Sequence, residues 1–348
     1  MGGLNAQPDS NTKTNYKERS LLLYRTIYQT YYDSAAGLFT ETNNKTADEH
    51  PYSYLWPLCA LVQAAGELEA LQPGTSYLAP VVKSIDQYYS IKQGIAGYDS
   101  YVVRFGGGDR FYDDNQWIGL AYMDAYGRTR KKELLQRSVE IYRFMMSGFD
   151  TVTGGGLYWK EGDKSTKNTC SNGPGVLLAL KLYKATGDER YLDTALVLYD
   201  WTNRVLQSPS GIYYDNVKTK DGSIARQIYT YNTGAMLQAN VILYTLTKQI
   251  RYFTEARRLA AASLATFFKK GRWPDNYWFN AVLLRGYQDL YLLDKDKTYI
   301  QAFMTDADGI RKTETDDHGL AGHGTAKKLL DQAGLLEILT RLAQMETH

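Results

Sequence analysis

Apolar and polar residues recur along most of this chain with the period of a helix. A polar or aromatic residue followed by small and apolar residues at helical spacing begins six times, about 50 to 60 residues apart. These repeat starts are Tyr54, Asn115, Asn172, Asn232, Asn280 and Gln332. A repeat of this length holds two helices and must stack on its neighbours to bury its apolar face.

The segments between these repeat starts are also predicted to be helical, because apolar or aromatic residues recur in them at i, i+3, i+4 and i+7. They are Tyr16–Tyr32, Ser76–Gln93, Lys131–Ser147, Arg190–Leu206, Tyr252–Lys269 and Lys297–Arg311. This second set carries a charged face, whereas the first set is rich in Gly, Ala and Leu all round. Twelve helices in six pairs predict an all-α (α/α)6 barrel, six inner helices ringed by six outer ones, as a single domain over residues 1–348.

The predicted connections differ at the two ends of the barrel. Four inner helices are followed by short turns near residues 127, 187, 247 and 294, as antiparallel neighbours require. Long segments rich in Gly and aromatic residues precede several inner helices, and the alternation over Gly156, Leu157, Tyr158 and Trp159 predicts short β-hairpins there. The long loops therefore gather at the N-terminal end of the inner helices, where we expect the functional site.

The composition narrows the classes of partner. Apolar residues make up 44% and charged residues 22% of the chain, and the net charge is +2, which favours a globular protein without a nucleic-acid or membrane-surface partner. No apolar run reaches membrane length, and residues 1–15 contain no apolar stretch of a secretion signal. We expect a cytoplasmic monomer, or an extracellular protein if a signal was removed. Cys59 and Cys170 are predicted to be buried free thiols.

An acidic pair, Asp113–Asp114, stands immediately before a predicted inner helix and is flanked by Phe111, Tyr112 and Trp117. Helix capping explains one aspartate well and two poorly. Glycoside hydrolysis requires two carboxyl groups, one to protonate the leaving oxygen and one to attack the anomeric carbon or activate water. Since adjacent Cα atoms are about 3.8 Å apart, the pair reaches the roughly 5–5.5 Å carboxyl separation of retaining enzymes more easily than the wider inverting separation.

Electrostatic repulsion within the pair suits this chemistry. A carboxylate beside another carboxylate has a raised pKa, so one aspartate can stay protonated near neutral pH while the other is ionised. The N-terminus of the helix favours the ionised one.

A second acidic pair, Asp316–Asp317, is followed by His318 and His323. A His-x4-His pattern in a Gly-rich loop is a weak metal signal without a third ligand at standard spacing, so we expect a solvated loop and no metal. The chain also lacks a P-loop, a dinucleotide fingerprint and a G-x-S-x-G elbow. We therefore expect no cofactor.

Three stretches together resemble glycoside hydrolase family 76: Y-D-D-N-Q-W at 112–117, S-N-G-P-G-V-L-L-A-L-K-L-Y-K-A-T-G-D at 171–188 and T-Y-N-T-G-A-M-L-Q-A-N at 230–240. The resemblance implies an (α/α)6 fold and endo-acting hydrolysis of α-1,6-linked mannan with retention. It also implies that Asp113 is the nucleophile and Asp114 the general acid/base. Members of the family are commonly exported and this chain shows no export signal, which leaves room for shorter mannosides or another α-linked glycan.

The binding groove is predicted from position. The chain has 30 tyrosines against 10 phenylalanines, and aromatic rings with a polar edge suit a wet groove that holds sugars. Four tryptophans fall at or just before inner-helix starts, where a sugar ring can stack: Trp56, Trp117, Trp159 and Trp278. Asn172, Asn232 and Asn280 fall at matching positions and either bond sugar hydroxyls or cap helices. Tyr112, Gln116 and Tyr231 adjoin the same starts and complete the predicted binding set.

Other functions on the same fold are open at this stage. A sugar epimerase relies on paired histidines for proton transfer, and none of the four histidines starts a predicted inner helix. A transglycosidase uses the same covalent intermediate and passes the sugar to a hydroxyl group instead of water. A glycan-binding protein would keep its affinity without the two aspartates.

Overall fold

The computed structural model describes residues 15–46 and 48–346. Twelve α-helices lie within these residues. They are α1 (Tyr16–Tyr31), α2 (Leu55–Leu71), α3 (Leu78–Ile85), α4 (Tyr112–Thr129), α5 (Lys132–Ser147), α6 (Thr169–Thr186), α7 (Glu189–Leu206), α8 (Thr230–Thr247), α9 (Ile250–Phe267), α10 (Tyr277–Asp294), α11 (Thr298–Thr313) and α12 (Leu329–Glu346).

The even-numbered helices form a closed inner ring. Each of α2, α4, α6, α8 and α10 packs against the next, and α12 packs against α2 to close the ring. The odd-numbered helices lie outside: α3, α5, α7 and α9 each pack on the inner helix before them, α11 packs between α10 and α12, and α1 covers α12. The predicted all-α (α/α)6 barrel is confirmed.

Close approach of the inner helices depends on glycine at their contacts. A Cβ atom added at Gly234 of α8 would lie 2.6 Å from the Cα atom of Leu283 in α10. One added at Gly334 of α12 would lie 2.3 Å from the backbone nitrogen of Trp278. Real side chains do not fit at these distances, so the small residues noted in the sequence let three inner helices touch through their backbones.

Eight short strands lie in the loops at the N-terminal end of the inner helices. They are β1 (Tyr32–Asp33), β2 (Leu38–Phe39), β3 (Tyr89–Lys92), β4 (Ile95–Tyr98), β5 (Tyr158–Lys160), β6 (Asp163–Asn168), β7 (Tyr214–Lys218) and β8 (Ile224–Ile228). Strands β1–β2 and β3–β4 are separate hairpins, whereas β5–β6–β7–β8 form one antiparallel sheet. The predicted hairpins are confirmed, and the loops before α6 and α8 join in a shared sheet.

One predicted outer helix, Ser76–Gln93, is wrong over its second half. Helix α3 ends at Ile85, and a 3-10 turn leads into β3, which pairs with β4. The hairpin turns at Gln93 and Gly94, both with positive φ of 52° and 78°, a backbone that matches the twist of a two-residue hairpin. Apolar spacing alone did not separate this strand from a helix.

Helices α4, α6, α10 and α12 also begin three residues before the predicted repeat starts, and α8 begins two residues before its own. Helical geometry in α4 starts at Tyr112, so Asp113 and Asp114 lie inside the first turn and not before it. The N-cap residue is Phe111, which makes no side-chain capping bond. Neither aspartate is therefore an N-cap.

Two further expectations concern the surroundings of the protein. In the residues that the structure describes, no helix is both long and apolar enough to cross a membrane. The prediction that no secretion signal is present rests mainly on residues 1–14, which lie outside the described ranges.

A buried ion-pair network joins three inner helices below the loop end. Glu337 of α12 accepts hydrogen bonds from Arg285 of α10 at 2.6 and 2.7 Å and from Arg341 at 2.8 Å. Arg341 also pairs with Glu67 of α2 at 3.1 Å. Burial alone would raise the pKa of Glu337, but the two guanidinium groups outweigh it and hold that pKa below its ordinary value.

We predict that Glu337→Gln lowers the free energy of unfolding by about 3–5 kcal/mol, because it leaves two buried cations without their shared anion. In the parent protein this contribution is present above the ordinary glutamate pKa and is lost as pH falls through the lowered folded-state pKa. Urea unfolding at pH 7 measures the difference. Arg190→Gln, at an exposed ion pair with Asp188, is the control and should cost less than about 1 kcal/mol. Equal effects of the two substitutions would contradict the prediction.

Candidate active site

A cleft of about 650 Å³ opens at the N-terminal ends of the inner helices. The second residue of five successive inner helices faces it, and these residues are Trp56, Asp113, Cys170, Tyr231 and Trp278. Because the repeats are equivalent, the same helix position recurs around the cleft with a different side chain each time. The ring of helices thus determines where these five side chains lie, and the residue type at position two determines which chemical group each helix presents to the cleft.

The fourth residue of an inner helix has a different task. Successive residues turn by about 100° on a helix, so position four lies on the opposite side from position two. In α6 that residue is Asn172, whose amide oxygen accepts the Leu157 N–H at 2.8 Å. Its amide nitrogen donates to the carbonyl oxygens of Leu157 at 3.1 Å and Asn168 at 2.8 Å. Asn172 holds the backbone of the preceding loop and does not reach the cleft.

In two other repeats the amide at position four also both accepts from and donates to one backbone residue of the preceding loop. Asn115 of α4 accepts from the backbone of Tyr98 at 2.7 Å and donates back to it at 3.0 Å. Gln332 of α12 binds the backbone of Ala321 in the same two-way manner at 2.9 and 2.7 Å. These bonds satisfy buried backbone N–H and C=O groups in the segments that precede the inner helices.

The other two predicted asparagines also lie away from the cleft. Asn280 donates to the Asp275 carbonyl at 2.9 Å and accepts from the Thr230 hydroxyl at 3.1 Å. Asn232 is the third residue of α8, and its buried amide makes no hydrogen bond within the described residues. The structure therefore gives these two side chains, like Asn172, no contact with the cleft.

Of the ten predicted binding residues, five line the cleft. These are Trp56, Trp117, Trp159, Tyr231 and Trp278. Tyr112 is the first residue of α4 and packs on Phe144, 4.8 Å between ring centroids, behind the cleft wall. Gln116 is fully buried and both its amide atoms lack a partner among the described residues.

Tryptophan rings form the base of the cleft. The Trp278 ring lies 5.7 Å from the Trp117 ring in an edge-to-face arrangement and 6.3 Å from the Trp56 ring. Beneath them, the guanidinium of Arg285 lies 5.3 Å from the Trp117 ring centroid, a cation–π contact. The buried ion-pair network thus supports the base of the cleft.

Both aspartates of the pair line the cleft as half-buried side chains. The indole nitrogen of Trp159 on β5 donates to Oδ2 of Asp113 at 3.3 Å, and the Trp159 ring leans on Phe111 with 4.9 Å between centroids. Trp159 is 41% exposed, so it forms an open wall beside the carboxyl group. The position of this indole is fixed on β5, which follows directly after Leu157, the residue that Asn172 binds.

The two carboxyl groups differ in proton affinity. Burial raises the pKa of Asp113 to about 6, while the Cys170 thiol, nearby helix N–H groups and the Trp159 indole act in the opposite direction. Burial and the charge of Asp113 raise the pKa of Asp114 well above its ordinary value. Asp114 therefore holds its proton more firmly than Asp113, because it carries the repulsion of the neighbouring charge in addition to burial.

Sequence reasoning missed the wall that the sheet contributes. Strand β6 supplies Asp163, Ser165, Thr166 and Asn168, strand β7 supplies Asp215 and Asn216, and Cys170, Tyr229 and Phe279 complete the lining. Asp215 has a pKa raised by burial. The motif G-I-Y-Y-D-N before α8 contained both β7 residues, but only the pairing of β6 with β7 brings them to the cleft.

The second acidic pair lies in a turn. Asp316 accepts hydrogen bonds from the backbone nitrogens of His318 at 3.0 Å and Leu320 at 2.9 Å. Across the described ranges, no three His, Cys, Asp or Glu side chains are grouped so as to hold a metal ion. Both cysteines are buried free thiols, as predicted.

The profile described as Glycosyl hydrolase family 76 matches residues 15–318. The chain belongs to this family. Among family 76 structures, a mannosidase from Bacteroides thetaiotaomicron is 26% identical and superposes with a TM-score of 0.87, covering 96% of this chain and 99% of that one.

Sequence relatives include two proteins named mannan endo-1,6-alpha-mannosidase. The one from Candida glabrata is 32% identical over 151 residues, 39% of this chain and 34% of that protein. The one from Candida albicans is 25% identical over 286 residues, 75% of this chain and 58% of that protein. The family 76 chain thus spans about a third to three-fifths of the length of these relatives.

We predict that Asn172→Leu lowers the free energy of unfolding by roughly 2–3 kcal/mol, because it leaves the buried N–H and C=O groups of Leu157 without hydrogen-bond partners. The matched substitution Asn232→Leu removes an unpaired amide and should change stability by less than about 1 kcal/mol, or increase it. Urea unfolding of both variants provides the comparison. A loss of sugar affinity without loss of stability in Asn172→Leu would return this residue to the binding set.

Proposed function

We propose that this family 76 protein is a retaining glycoside hydrolase that cleaves α-1,6-mannosidic linkages, with Asp113 as nucleophile and Asp114 as general acid/base. The observation that carries the proposal is the pair of consecutive carboxyl groups that line one cleft at the N-terminus of α4. Retaining hydrolysis requires one ionised carboxylate and one carboxylic acid at the same sugar.

The environment of Asp113 suits a nucleophile. It lies in the first turn of α4, where the free N–H groups and the helix dipole favour negative charge. The Trp159 indole donates to Oδ2 and fixes the orientation of the carboxyl group, whose Oδ1 atom is buried without a hydrogen-bond partner among the described residues. Such orientation of a reactive group is a large part of enzymatic rate enhancement.

The environment of Asp114 suits a general acid. Burial and the charge of Asp113 raise the pKa of Asp114, which favours the protonated carboxyl group. In the first step this proton passes to the leaving glycosidic oxygen while Asp113 forms an ester with the anomeric carbon. In the second step the Asp114 carboxylate takes a proton from the attacking water, and hydrolysis of the ester restores both groups with retention of configuration.

The substrate class follows from the lining and from the relatives. A base of three tryptophan rings accepts the apolar faces of sugar rings, and the polar wall from β6 and β7 offers hydrogen-bond partners to hydroxyl groups. Two sequence relatives are named mannan endo-1,6-alpha-mannosidase. An α-1,6-linked mannan or mannooligosaccharide is the substrate that combines these observations.

The epimerase alternative lacks its chemistry in the cleft. Within the described residues the lining contains no histidine; His50 contacts Tyr54 and Tyr101, and His318 and His323 lie in the loop before α12. Transglycosylation shares the proposed intermediate and is distinguished by its product when a mannosyl acceptor is supplied.

We predict that Asp113→Asn lowers hydrolysis of α-1,6-mannan by roughly three orders of magnitude or more, and Asp114→Asn by roughly 10²–10⁴-fold. With an aryl α-mannoside whose leaving group needs no proton, Asp114→Asn should lose much less in the first step. Reducing-sugar release and proton NMR of the first-formed anomer provide the readouts. Asp316→Asn and Asp317→Asn are the matched controls at the other acidic pair and should retain parental rates. An inverted first product, or no turnover of any α-mannoside by the parent, would overturn the proposal.

We predict a bell-shaped pH profile of kcat/KM. Activity should rise as pH increases through about 6, where Asp113 becomes ionised, and fall at higher pH as Asp114 loses its proton. In Asp114→Asn, assayed with the activated aryl mannoside, the acid limb should persist and the alkaline limb should disappear. Loss of the acid limb in place of the alkaline limb would reverse the two assignments.

A further inference from the structure

A lysine with a fully buried side chain lies behind the strand wall of the cleft. The side chain of Lys167 on β6 is 0% exposed, and its ammonium contacts a single loop. It donates to the carbonyl oxygens of Asp150 at 2.9 Å, Val152 at 2.8 Å and Gly155 at 2.7 Å, and to Oδ1 of Asp150 at 2.7 Å. Because an ammonium has three N–H donors, all of them are used within this loop.

The loop that begins at Asp150 closes around the ammonium. Phe149 and Leu157 pair across its base, and the carboxyl group of Asp150 also accepts from the Tyr158 hydroxyl at 2.8 Å. Although burial acts to raise it, the hydrogen bonds from Lys167 and Tyr158 bring the pKa of Asp150 down to about 2. The loop therefore presents a carboxylate charge and three carbonyl dipoles to one cation.

The ammonium and the cleft lie on opposite faces of β6. Thr166 and Asn168 line the cleft, and side chains alternate along a strand, so Lys167 between them points to the back of the sheet. There it pairs in register with Tyr158 of β5, whose ring centroid lies 4.7 Å from the ammonium nitrogen. Trp159, the next residue of β5, lines the cleft. The register thus sets Lys167 opposite the direct neighbour of the indole.

The strand around the indole is irregular. The pairing of β5 with β6 shifts register between Tyr158 and Lys160, the two residues that flank Trp159. Irregularities of this kind re-aim a side chain, and the position of the indole then depends on the contacts on either side of it. On one side Lys160 pairs with Phe111 at the start of α4. On the other side Tyr158 is fixed by Lys167 and its loop.

We propose that Lys167 is a positioning residue for the reaction: its buried ammonium ties the Asp150 loop to the back of the sheet and thereby keeps the Trp159 indole within hydrogen-bond distance of Asp113. The inference rests on the proposed function for the role of Asp113 as nucleophile. The indole donates to that carboxylate at 3.3 Å, at the long end of the hydrogen-bond range, so a small displacement of β5 breaks the bond. An apolar side chain in place of the ammonium would leave buried carbonyl groups and a carboxylate without donors, and the loop would open to let water reach them.

The first readout is the contact between the indole and the carboxyl group. The Trp159 indole signal of ¹⁵N-labelled protein is assigned by its loss in Trp159→Phe and is followed against pH. In the parent it should titrate with a midpoint near the pKa of Asp113, about 6. In Lys167→Met, a side chain of similar length without charge, the pH-dependent change should fall by roughly half or more, because the indole no longer contacts the carboxylate.

Catalysis gives the second readout. We expect the acid limb of kcat/KM for an aryl α-mannoside to move upward by roughly 0.5 pH units in Lys167→Met, because ionised Asp113 loses a donor. Trp159→Phe should move it in the same direction. In the double variant the lysine substitution should add nothing further, since it acts through the indole.

Lys327→Met is the matched control. Lys327 is another largely buried lysine, 9% exposed, whose ammonium donates to the carbonyl oxygen of Gly322 in the loop before α12, a loop with no residue in the described lining of the cleft. This variant should lose stability but keep its acid-limb midpoint within about 0.3 pH units of the parent. Asp150→Asn weakens the same loop contact as Lys167→Met and keeps the carbonyl acceptors. It should give a smaller upward shift, which keeps the test available if the methionine variant does not fold.

The outcomes separate this inference from the proposed function. A Trp159 signal that titrates in Lys167→Met as in the parent, or an acid-limb shift that is equally large in the Trp159→Phe background, overturns the inference while hydrolysis by the parent stands. Loss of the titrating indole signal without turnover of any α-mannoside upholds the support of the indole by Lys167 and overturns the proposed hydrolysis.

Discussion

The opposite directions of positions two and four in the first turns of α4, α6, α8 and α10 organise this protein. Position four faces the loop, and in α4, α6 and α12 an amide there binds loop backbone through paired hydrogen bonds. Position two faces the cleft and is free to vary in chemistry. Buried backbone groups that are satisfied in this way let the long loops pack closely against the ends of the helices. The amides at position four thus connect the cleft wall to the helices beneath it.

The cleft shows how burial without a cation tunes two neighbouring acids. Both aspartates lose solvent, and each would hold its proton if burial were the only influence. The Trp159 indole donates to Asp113 at the N-terminus of α4, whereas the charge of Asp113 raises the pKa of Asp114. The asymmetry arises from where donors point, because two residues adjacent in the chain lie about 100° apart around the helix.

The architecture and the position of the acidic pair could be predicted from the sequence, whereas most of the other residues that line the cleft could not. A sixfold repeat of helical periodicity is visible without a structure, and two aspartates among aromatic residues stand out. Asn172 and Asn280 occupy equivalent repeat positions, which made them candidates for sugar binding. Both are the fourth residue of their helix, and that position points to the preceding loop. Because the predicted helix starts were three residues too late, the direction of these side chains could not be derived from the sequence. Asp215 and Asn216 could not be placed, because strand pairing between distant loops leaves no local signal.

Sharing one sheet between two loops has a consequence for where the chain can change in length. Strand β6 leads directly into α6, next to Cys170. Strand β8 is the edge of the sheet, and the β7–β8 hairpin turns at residues 219–223. The β7 residues that line the cleft, Asp215 and Asn216, lie at the opposite end of that hairpin. A change of length at the tip would therefore leave the acidic pair, the indole and the tryptophan base in place, so the sheet combines a constant cleft wall with an end that tolerates insertion.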